Sequence, residues 1–432
     1  MVAISTDELL VDFHIHSRYS RACSQSLTPA TIAQWARMKG LRVVGTGDFT
    51  HPEWLAELEH HLVEDGSGLL ALAPADADDV AARTPPSCRG DIRFLLTTEI
   101  STIYKAGDKT RKVHHVIVVR DFASARRFNE TLGRLGNLAS DGRPILGVDS
   151  KRILEITLGV GGGAYLIPAH IWTPWFSLLG HRSGFDSLEE CFGDLAPEVF
   201  AVETGLSSDP LMNRRLSALD RLTLVSNSDA HSPAKLAREC TAFRCAPAFD
   251  ALKTALRQRD GYAGTIEFFP EEGKYHFDGH RKCGQRMRPE ATCAAGGLCP
   301  ACGKEVTVGV MHRVQELADR TPEAAGAAAA PFQRLIPLQE IIAEALAVGV
   351  ATRGVQDAYL DLLGRLGPEL HVLRHAPLDA LDDAAPANVA EAVRRMRRGE
   401  VYIEPGYDGE FGTVRLFSAD ERQQRYVQLS LF

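Results

Sequence analysis

Seven short apolar runs in the first part of the chain each adjoin a histidine or a carboxylate. The runs occupy residues 9–16, 42–48, 92–99, 114–119, 164–170, 199–203 and 222–231. Six runs carry the polar residues at the carboxyl end, where α/β barrels keep their chemistry. The fourth run begins with His114 and His115, and the segment before it is too short for a helical crossover. We therefore expect a hairpin that returns these histidines to the same rim.

Helical patterns separate these runs. Thr28 and Pro29 precede an apolar-periodic segment that Gly40 ends, which is the composition of a helix start and stop. Strands that alternate with helices predict an α/β fold. Seven strands in place of eight predict a distorted seven-stranded (β/α)7 barrel in residues 1–263.

The rest of the chain divides by composition into two further segments. Residues 264–320 are rich in glycine, aromatic and basic residues and contain four cysteines, which predicts a small zinc-binding module. Residues 321–432 begin with an alanine-rich stretch, residues 322–331, that we interpret as a linker. Three amphipathic helical patterns and a hairpin pattern follow, so we expect a mainly helical C-terminal domain.

The overall composition limits the class of protein. Of 432 residues, 45% are hydrophobic and 24% are charged, as in globular proteins, and no apolar run approaches the roughly 20 residues that span a bilayer. The first residues lack the features of a signal peptide, so we expect a cytoplasmic protein without a membrane partner. Its nine cysteines are then thiols or metal ligands. The net charge of −8 argues against non-specific affinity for nucleic acid.

Histidines and carboxylates at the strand ends form a candidate metal site. Two histidines two positions apart on a strand face the same side, and the end of the seventh run repeats this spacing with an aspartate and a histidine. So many ionisable groups at one rim cannot form a packed apolar core, because unpaired buried charges cost several kcal/mol. The candidate ligands are His14, His16, Asp48, Glu99, His170, Asp229 and His231.

Metal-assisted phosphoester hydrolysis is the chemistry that this set of residues favours. Two or three ions ~3.5–4 Å apart that share a carboxylate activate water and neutralise phosphoryl oxygens. Mixed imidazole and carboxylate ligands favour Zn²⁺, Mn²⁺ or Fe, and we keep Mg²⁺ as a further candidate. No G-x-S-x-G sequence suggests a serine nucleophile. We expect Asp229, His231 and His170 to be the catalytic groups, with the loss of Asp229 the most damaging.

The cysteine-rich segment predicts a structural zinc site. His280 and Cys283 form one short hook, and Cys299 and Cys302 form a second hook with the tight turn of a zinc knuckle. Cys293 is a rival for the fourth position, and His276 is a more distant one. Because the module is small, a bound zinc ion would supply much of its folding free energy.

Aromatic and basic residues near both sites are candidates for DNA contact. Trp172 and Trp175 follow the candidate ligand His170 and could hold an extruded base, or they could pack at the barrel rim. The basic residues of the cysteine-rich segment could contact phosphates or belong to the packing of the module. The candidates there are Arg281, Lys282 and Arg286.

Five segments resemble the motifs of the PHP (polymerase and histidinol phosphatase) domain family: LVDFHIHSRYS, GTGDFTH, TTEIS, AHIWTPW and SNSDAH. The resemblance implies a distorted seven-stranded barrel with two or three metal ions. It favours His114 over His115, because the family places its histidine at the very start of this strand. The implied ligands are His14, His16, Glu99, His114, His170, Asp229 and His231.

Two places depart from the PHP pattern. Ser20, Arg21 and Ala22 stand where the family commonly has an aspartate. Asp48 is followed by phenylalanine instead of histidine, and His51 could substitute from two positions further along. The third ion and the role of Asp48 therefore stay open.

Segments outside the barrel resemble the endonuclease Q family of DNA repair nucleases: KYHFDGHRKCG, LCPACGKEVTVGVMHRVQELADR, LIPLQEIIAEAL and IEPGYDGEFG. The resemblance covers nearly the whole chain. It implies hydrolysis of the phosphodiester 5′ to hypoxanthine, uracil, xanthine or an abasic site. No G-x-x-x-x-G-K-[ST] sequence is present, which argues against ATP-driven unwinding.

Two other functions remain open from the sequence. A PHP-type small-molecule phosphatase would use the same barrel but would not require the C-terminal third of the chain. A non-catalytic nucleic-acid-binding protein with a degenerate barrel would explain the missing aspartate near Arg21. We expect damaged DNA as the main partner, two or three divalent ions in the barrel and one structural Zn²⁺. A sliding clamp or another repair protein is an open candidate for recruitment.

Overall fold

The computed structural model of the chain describes residues 8–422 and has a mixed α/β architecture. The strands are β1 (Leu9–Asp12), β2 (Val43–Gly45), β3 (Leu62–Glu64), β4 (Leu70–Leu72), β5 (Arg93–Ala106), β6 (Lys109–Val119), β7 (Ile145–Leu146), β8 (Tyr165–Pro168), β9 (Ala201–Glu203), β10 (Thr223–Val225), β11 (Cys240–Phe243), β12 (Tyr262–Glu267), β13 (Asp278–His280), β14 (Gln285–Met287), β15 (Phe332–Arg334), β16 (Tyr402–Glu404) and β17 (Thr413–Arg415).

Helices separate most of these strands and dominate the last quarter of the chain. The α-helices are α1 (Pro29–Lys39), α2 (Pro52–His61), α3 (Pro74–Arg83), α4 (Phe122–Leu132), α5 (Ser150–Gly159), α6 (Leu188–Phe192), α7 (Pro210–Asn213), α8 (Phe249–Gln258), α9 (Pro289–Ala294), α10 (Val310–Leu317), α11 (Pro322–Ala328), α12 (Leu338–Ala345), α13 (Arg353–Leu366), α14 (Glu369–Arg374), α15 (Leu378–Ala384) and α16 (Ala387–Arg398).

One large sheet carries most of the predicted strands. Its order is β15-β12-β11-β1-β2-β5-β4-β3, with β6 paired to β5, β8 to β6 and β7 to β5. β1, β2 and β5 are mutually parallel, whereas β6 is antiparallel to both β5 and β8. The carboxyl ends of β1, β2 and β8 therefore lie level with the middle of β5 and of β6, and together these positions form one rim.

All seven predicted runs contain a strand, and the predicted hairpin is confirmed. β5 and β6 pair antiparallel from Leu96↔Val119 to Ala106↔Lys109, which brings His114 opposite Ser101, two residues beyond Glu99. The hydrogen-bonded sheet is larger than a barrel of seven strands. β11 and β12 extend it antiparallel beside β1, while β9 and β10 form a separate parallel pair. β11 was not among the seven runs identified from the sequence.

Local sequence signals explain the first helix. The Thr28 side chain accepts a hydrogen bond from the N–H of Thr31, and Pro29 occupies the first turn. Gly40 has φ of 96°, and its N–H donates to the carbonyl of Ala36 at 2.9 Å. A left-handed residue at this position ends the helix at low cost only when it is glycine. The predicted start and stop of α1 are confirmed.

The later segments connect directly to the large sheet. β12 (Tyr262–Glu267) runs across the predicted boundary at residues 263 and 264, and β15 pairs parallel with it. The alanine-rich stretch, interpreted from sequence as a linker, forms α11 and buries Ala325. Its alanines favour helix, and the Thr321 side chain caps the first turn. No helix among residues 8–422 is long and apolar enough to cross a membrane.

Candidate metal centre

The rim described above gathers the predicted ligands from strands that are far apart in sequence. His14 and His16 follow β1, Glu99 lies within β5, and His170 and Asp229 follow β8 and β10. The ligand atoms of four of these residues lie within 4.8 Å of one another: His14, His16, Glu99 and Asp229. Imidazole nitrogens and carboxylate oxygens at such separations fit a divalent transition ion.

A second group of ligand atoms overlaps the first. Glu99, His114 and His170 also have ligand atoms within 4.8 Å of one another. Glu99 Oε1 lies 2.5 Å from His114 Nδ1 and 3.2 Å from His170 Nε2, while its Oε2 lies 3.3 Å from His16 Nε2. Glu99 therefore belongs to both groups, which is the arrangement of a carboxylate that bridges two ions.

Two buried nitrogens support the fit of metal ions to these groups. His14 Nε2 makes no hydrogen bond, although carboxylate oxygens of Glu99 and Asp229 lie at 3.5 and 3.7 Å. His114 Nδ1 also has no hydrogen-bond partner of good geometry, although Glu99 Oε1 lies 2.5 Å away. An unsatisfied buried polar atom costs about 1–3 kcal/mol. A cation among these atoms would remove that cost.

Backbone strain is concentrated at the same rim. Asp48, His170 and Asp229 have φ of 50°, 30° and 45°, a left-handed region that residues other than glycine seldom occupy. Such conformations cost of order 1–3 kcal/mol each and persist where the surrounding structure enforces them. Because all three residues lie at the rim, part of the folding free energy is used to hold these side chains in position.

Carboxylates behind the ligands fix the orientation of two imidazoles. Both oxygens of Glu203 lie 3.1 Å from His14 Nδ1, and Glu203 also accepts hydrogen bonds from the His170 N–H and the Asn227 amide. Asp48 Oδ1 lies 3.1 Å from His16 Nδ1. These contacts leave the Nε2 atoms of both histidines facing the first group. Carboxylate–histidine–metal arrangements orient ligands in the same way.

Charge balance at the rim depends on these pairs. Burial lowers the pKa of His14, but the Glu203 and Glu99 carboxylates raise it further, so the net pKa is well above its usual value. Burial raises the pKa of Asp229, but hydrogen bonding to His16 and the charges of both histidines bring it below its usual value. Burial brings the pKa of His114 down to about 4. Metal ligation would release the protons that His14 and His16 hold in these pairs.

Two predicted ligands lie outside both groups of ligand atoms. Asp48 is fully buried, and its Oδ2 accepts hydrogen bonds from the Ser17 N–H and hydroxyl and from the Ser20 hydroxyl. His231 is 34% exposed at the mouth, and its Nδ1 lies 2.8 Å from the carbonyl oxygen of Asp229. In this arrangement Asp48 orients His16, and His231 borders the centre beside Asp229.

Two residues of the centre, Glu203 and Arg143, are not among the ligands predicted from the sequence. Glu203 ends one of the seven runs, which was its available signal, but its contact with His14 depends on tertiary structure. Arg143 lies in a loop without periodicity, and its Nη1 donates to Glu99 Oε2 at 3.0 Å. Between the adjacent histidines, the favoured His114 faces Glu99, whereas His115 Nε2 lies 2.9 Å from the Ser150 hydroxyl.

The cysteine-rich segment brings together the four predicted zinc ligands. Ligand atoms of His280, Cys283, Cys299 and Cys302 lie within 4.8 Å of one another. The antiparallel β13–β14 hairpin carries the first hook, and N–H groups of residues 302 and 303 donate to the carbonyl of Cys299 in the second. The Lys304 N–H lowers the pKa of the Cys302 thiol, which favours a thiolate ligand.

Neither rival zinc ligand joins this group. Cys293 is exposed, with its Sγ 4.0 Å from His312 Nε2. His276 is buried in a separate cavity of about 580 Å³ that Arg286, Arg288 and Arg334 also line. The donor set of two hooks, three thiols and one imidazole, fits tetrahedral Zn²⁺.

The predicted DNA-contact residues divide between core and surface. Trp172 is 1% exposed and its indole donates to Asn213 at 2.8 Å, so its ring belongs to the core instead of a DNA surface. Trp175 is 39% exposed and packs edge-on against Tyr275, with ring centroids 5.2 Å apart. This pair joins the loop after His170 to the start of the cysteine-rich segment.

The predicted basic residues of the module lie at its surface. Arg281, Lys282 and Arg286 are all exposed. The Arg281 side chain lies 3.7 Å from Glu410, and Arg286 donates to the carbonyl of Pro405. The second basic stretch of the sequence, in α16, is engaged with acids and carbonyls of its own domain. The module therefore offers the freer positive charge.

Comparisons with known proteins agree with this architecture. The family described as the MJ0043 C-terminal domain matches residues 337–400. The uncharacterized protein MJ0043 of Methanocaldococcus jannaschii is 34% identical over 251 residues, which are 56% of this chain and 31% of that protein. The chain thus spans about a third of that relative's length.

Solved structures match over nearly the whole chain. The lesion-specific endonuclease PfuEndoQ from Pyrococcus furiosus has a TM-score of 0.80 and 31% identity, covering 94% of this chain and 95% of its own. An endonuclease Q complex with a 27-mer duplex that has an abasic lesion at the active site gives the same TM-score and identity, with 96% and 97% coverage. The chain therefore belongs to the endonuclease Q family of phosphodiester hydrolases.

Proposed function

We propose that this protein is a metal-dependent DNA repair endonuclease that hydrolyses the phosphodiester 5′ to a deaminated base or an abasic site. The overlap of two ligand groups at Glu99 is the observation that carries the proposal. Two cations that share a carboxylate suit in-line displacement at phosphorus. The similar structure with an abasic duplex at its active site supports DNA damage as the substrate. Hypoxanthine, uracil and xanthine are the proposed base lesions.

The residues of the rim fit two divalent ions, with Zn²⁺, Mn²⁺ and Mg²⁺ as the candidates, and the cysteine group fits one structural Zn²⁺. When bound at the rim, the ions would polarise the phosphoryl group and make water more acidic. His14, His16 and Asp229 would hold one ion, His114 and His170 the other, and Glu99 both. Buried carboxylates behind the imidazoles keep this geometry in place.

Three residues would act on the reacting atoms. Asp229 reaches the mouth while contacting His16 at 3.0 Å, so its carboxylate can orient the attacking water. His170 packs beside His114, with ring centroids 5.2 Å apart, and faces the same space. His231 is engaged at Nδ1 and open at the mouth, so its Nε2 can exchange a proton with a reacting oxygen.

Exposed residues near the rim would hold the duplex. We propose the Trp175 ring as a stacking surface for the extruded nucleotide, and Arg281, Lys282 and Arg286 as phosphate contacts. In this division of labour residues 1–263 hydrolyse the phosphodiester. Residues 264–320 and 321–432 clamp the duplex.

Nicking of defined duplexes tests the proposal. End-labelled duplexes that each contain one hypoxanthine, uracil, xanthine or abasic site are incubated with Mn²⁺ or Mg²⁺, and product length reports the cut side. We expect the Asp229→Asn protein to bind these duplexes and leave them intact. Glu155→Gln, a surface change beside Arg152, is the matched control and should nick normally. Nicking by Asp229→Asn at the wild-type rate would refute the assignment.

The recruiting partner is a further part of the proposal. Residues 426–432, YVQLSLF, lie outside the described residues and contain five apolar side chains and no charge. A short apolar peptide of this kind suits docking into a hydrophobic groove of another protein. We propose a sliding clamp or another repair protein as the owner of that groove.

Binding of purified sliding clamp to the full chain tests this partner. Leu431→Ala with Phe432→Ala should weaken the complex strongly and leave nicking of a short duplex unchanged. Equal clamp binding by the wild-type and substituted proteins would remove residues 426–432 from the proposal.

A further inference from the structure

Arg143 is fixed at the edge of the metal centre by its own loop. The N–H of Ser101 in β5 donates to the carbonyl of Pro144 at 3.0 Å, and the N–H of Gly142 donates to the carbonyl of Tyr19 at 3.1 Å. β7 then continues the loop parallel to β5. The backbone on both sides of Arg143 is therefore tied to segments that carry ligands.

Gly142, the residue before Arg143, packs so closely against the metal centre that its position has no room for a side chain. A Cβ at Gly142 would lie 2.4 Å from both Asp48 Oδ2 and Ser20 Oγ, so only glycine fits there. The carbonyl of Gly142 also lies 3.4 Å from the Thr50 hydroxyl, which can donate to it. This contact sets the distance between the loop and the rim, and it places the next side chain beside Glu99.

The guanidinium of Arg143 is only partly engaged. Its Nη1 donates to Glu99 Oε2 at 3.0 Å, and its other N–H groups make no hydrogen bond within residues 8–422. The side chain is 28% exposed, so these donors are open at the mouth of the centre. A guanidinium offers five donors in a planar fork that matches phosphate oxygens.

The residues that would complete a third metal site do not assemble one. Both oxygens of Asp48 are occupied, Oδ1 by His16 and Oδ2 by serine donors. The His51 ring is stacked on Tyr19 at 4.4 Å. Within the described part of the chain, the rim shows two groups of metal-ligating atoms. The positive charge that a third ion would bring must come from another source.

Electrostatics argue for an anion beside Arg143 in the working enzyme. With two divalent ions at the rim, Glu99 would be shared between them and could no longer balance the guanidinium. Like charges a few ångströms apart repel unless an anion lies between them. A phosphodiester at the mouth is that anion if the function proposed above is correct.

We propose that Arg143 binds a non-bridging oxygen of the scissile phosphodiester and stabilises the charge that develops there, in place of a third metal ion. This inference rests on the proposed endonuclease function. It makes Arg143 a catalytic residue that the ligand pattern did not contain. The loop that carries Arg143 holds its guanidinium in position, so the side chain need not rearrange during the reaction.

Single-turnover nicking of an abasic duplex tests this role. Arg143→Ala should lower the rate about 10²–10³-fold, the usual cost of removing one preorganised donor, and Arg143→Lys should restore part of it. Arg126→Ala, which removes a surface arginine paired with Glu59, is the matched control and should be neutral. Metal content and melting temperature of the loaded Arg143→Ala protein should equal those of wild type. Loss of an ion would overturn the proposal, because Arg143 would then serve only to hold Glu99.

Equilibrium binding measured with Ca²⁺ in place of Mn²⁺ or Mg²⁺ supplies a readout that does not depend on catalysis. A duplex with a methylphosphonate at the scissile position lacks the charge that Arg143 would contact. We expect this change to weaken binding to wild type but not to Arg143→Ala. Equal weakening for both proteins would overturn the inference. If wild type fails to nick any lesion, the proposed function fails, whereas this binding comparison still decides whether Arg143 contacts that phosphate.

Discussion

The rim groups and the cysteine group place their ligands in opposite surroundings. At the rim His14, His16 and Glu99 are buried, and the large sheet with its helices supplies the core around them. In the module the buried apolar cluster consists of Met287, Cys299 and Val306, and Cys302 is exposed. The surrounding fold holds the rim ligands in position. The cysteine group, in contrast, must itself stabilise residues 264–320.

This contrast has an energetic consequence. A rim that is already shaped by Glu203 and Asp48 can lose its ions and remain folded, because protons on the imidazoles balance the carboxylates. A module with so small a core is expected to depend on bound metal, since apparent binding of structural zinc contributes about 10–16 kcal/mol in comparable peptides. Chelation should therefore abolish activity at the rim and structure at the module.

The largest effect is expected from Glu99→Gln. The amide keeps the shape of the side chain but removes the negative charge that belongs to both ligand groups. Both ions should be lost or weakened, and nicking should fall by more than the roughly 10–100-fold typical of a residue that only orients a ligand. Elemental analysis and nicking of an abasic duplex measure this, with Glu155→Gln as control. A Glu99→Gln protein that retains two tightly bound rim ions would show that Glu99 is not a bridge.

Cys299→Ser should produce the largest structural effect. Its thiol belongs to the second hook and is buried in the small core, so its loss removes both a candidate ligand and part of that core. We expect proteolysis within residues 264–320 and weaker duplex binding, while the rim retains its ions. Cys293→Ser is the matched control, because Cys293 is exposed and outside the ligand group. Protease resistance of Cys299→Ser equal to wild type would contradict a folding role for zinc.

The clustering of the candidate ligands at both sites could be predicted because their signals are local. Spacing of two residues on a strand puts His14 and His16 on one face, and the two short hooks need only a turn each. The apolar runs predicted the strands, and the short connection between the third and fourth runs predicted the hairpin. Each of these inferences uses only neighbouring residues and the symmetry of strands.

The other features of the rim depend on tertiary packing, which neighbouring residues in the sequence do not encode. Glu203 matters because its carboxylate faces His14, across 189 positions of chain. Trp172 looks like a rim aromatic in sequence, but its hydrogen bond with Asn213 places it in the core. The left-handed conformations of Asp48 and Asp229 are likewise imposed from outside. A single sequence reports which side chains are available, but not which partner each one meets.

Glu203→Gln should have an intermediate effect that tests the preorganisation of the rim. The amide cannot accept from His14 Nδ1 with both oxygens, so the imidazole is less firmly oriented. Metal affinity should fall roughly 10–100-fold, and added metal should restore nicking. Titration with Mn²⁺ measures the shift, with the surface change Glu198→Gln as control. Failure of excess metal to restore activity would mean that Glu203 does more than orient His14.

Trp175→Ala should have the smallest effect and bears on how the two regions cooperate on DNA. Its ring is 39% exposed and meets Tyr275 edge-on, so less of it is free for a base than in an open stacking site. We expect binding of the abasic duplex to weaken by about 1 kcal/mol, or roughly fivefold in affinity. This value is near the low end of the range for base–aromatic stacking. Leu158→Ala, an exposed hydrophobic residue of α5 outside the proposed DNA-binding segments, serves as the control. Fluorescence anisotropy should show the loss for lesion duplex and little for intact duplex, because only an extruded nucleotide reaches a ring beside the metal centre. An equal loss on both duplexes would instead make Trp175 a support for the module, and the two regions would then meet through protein contacts alone.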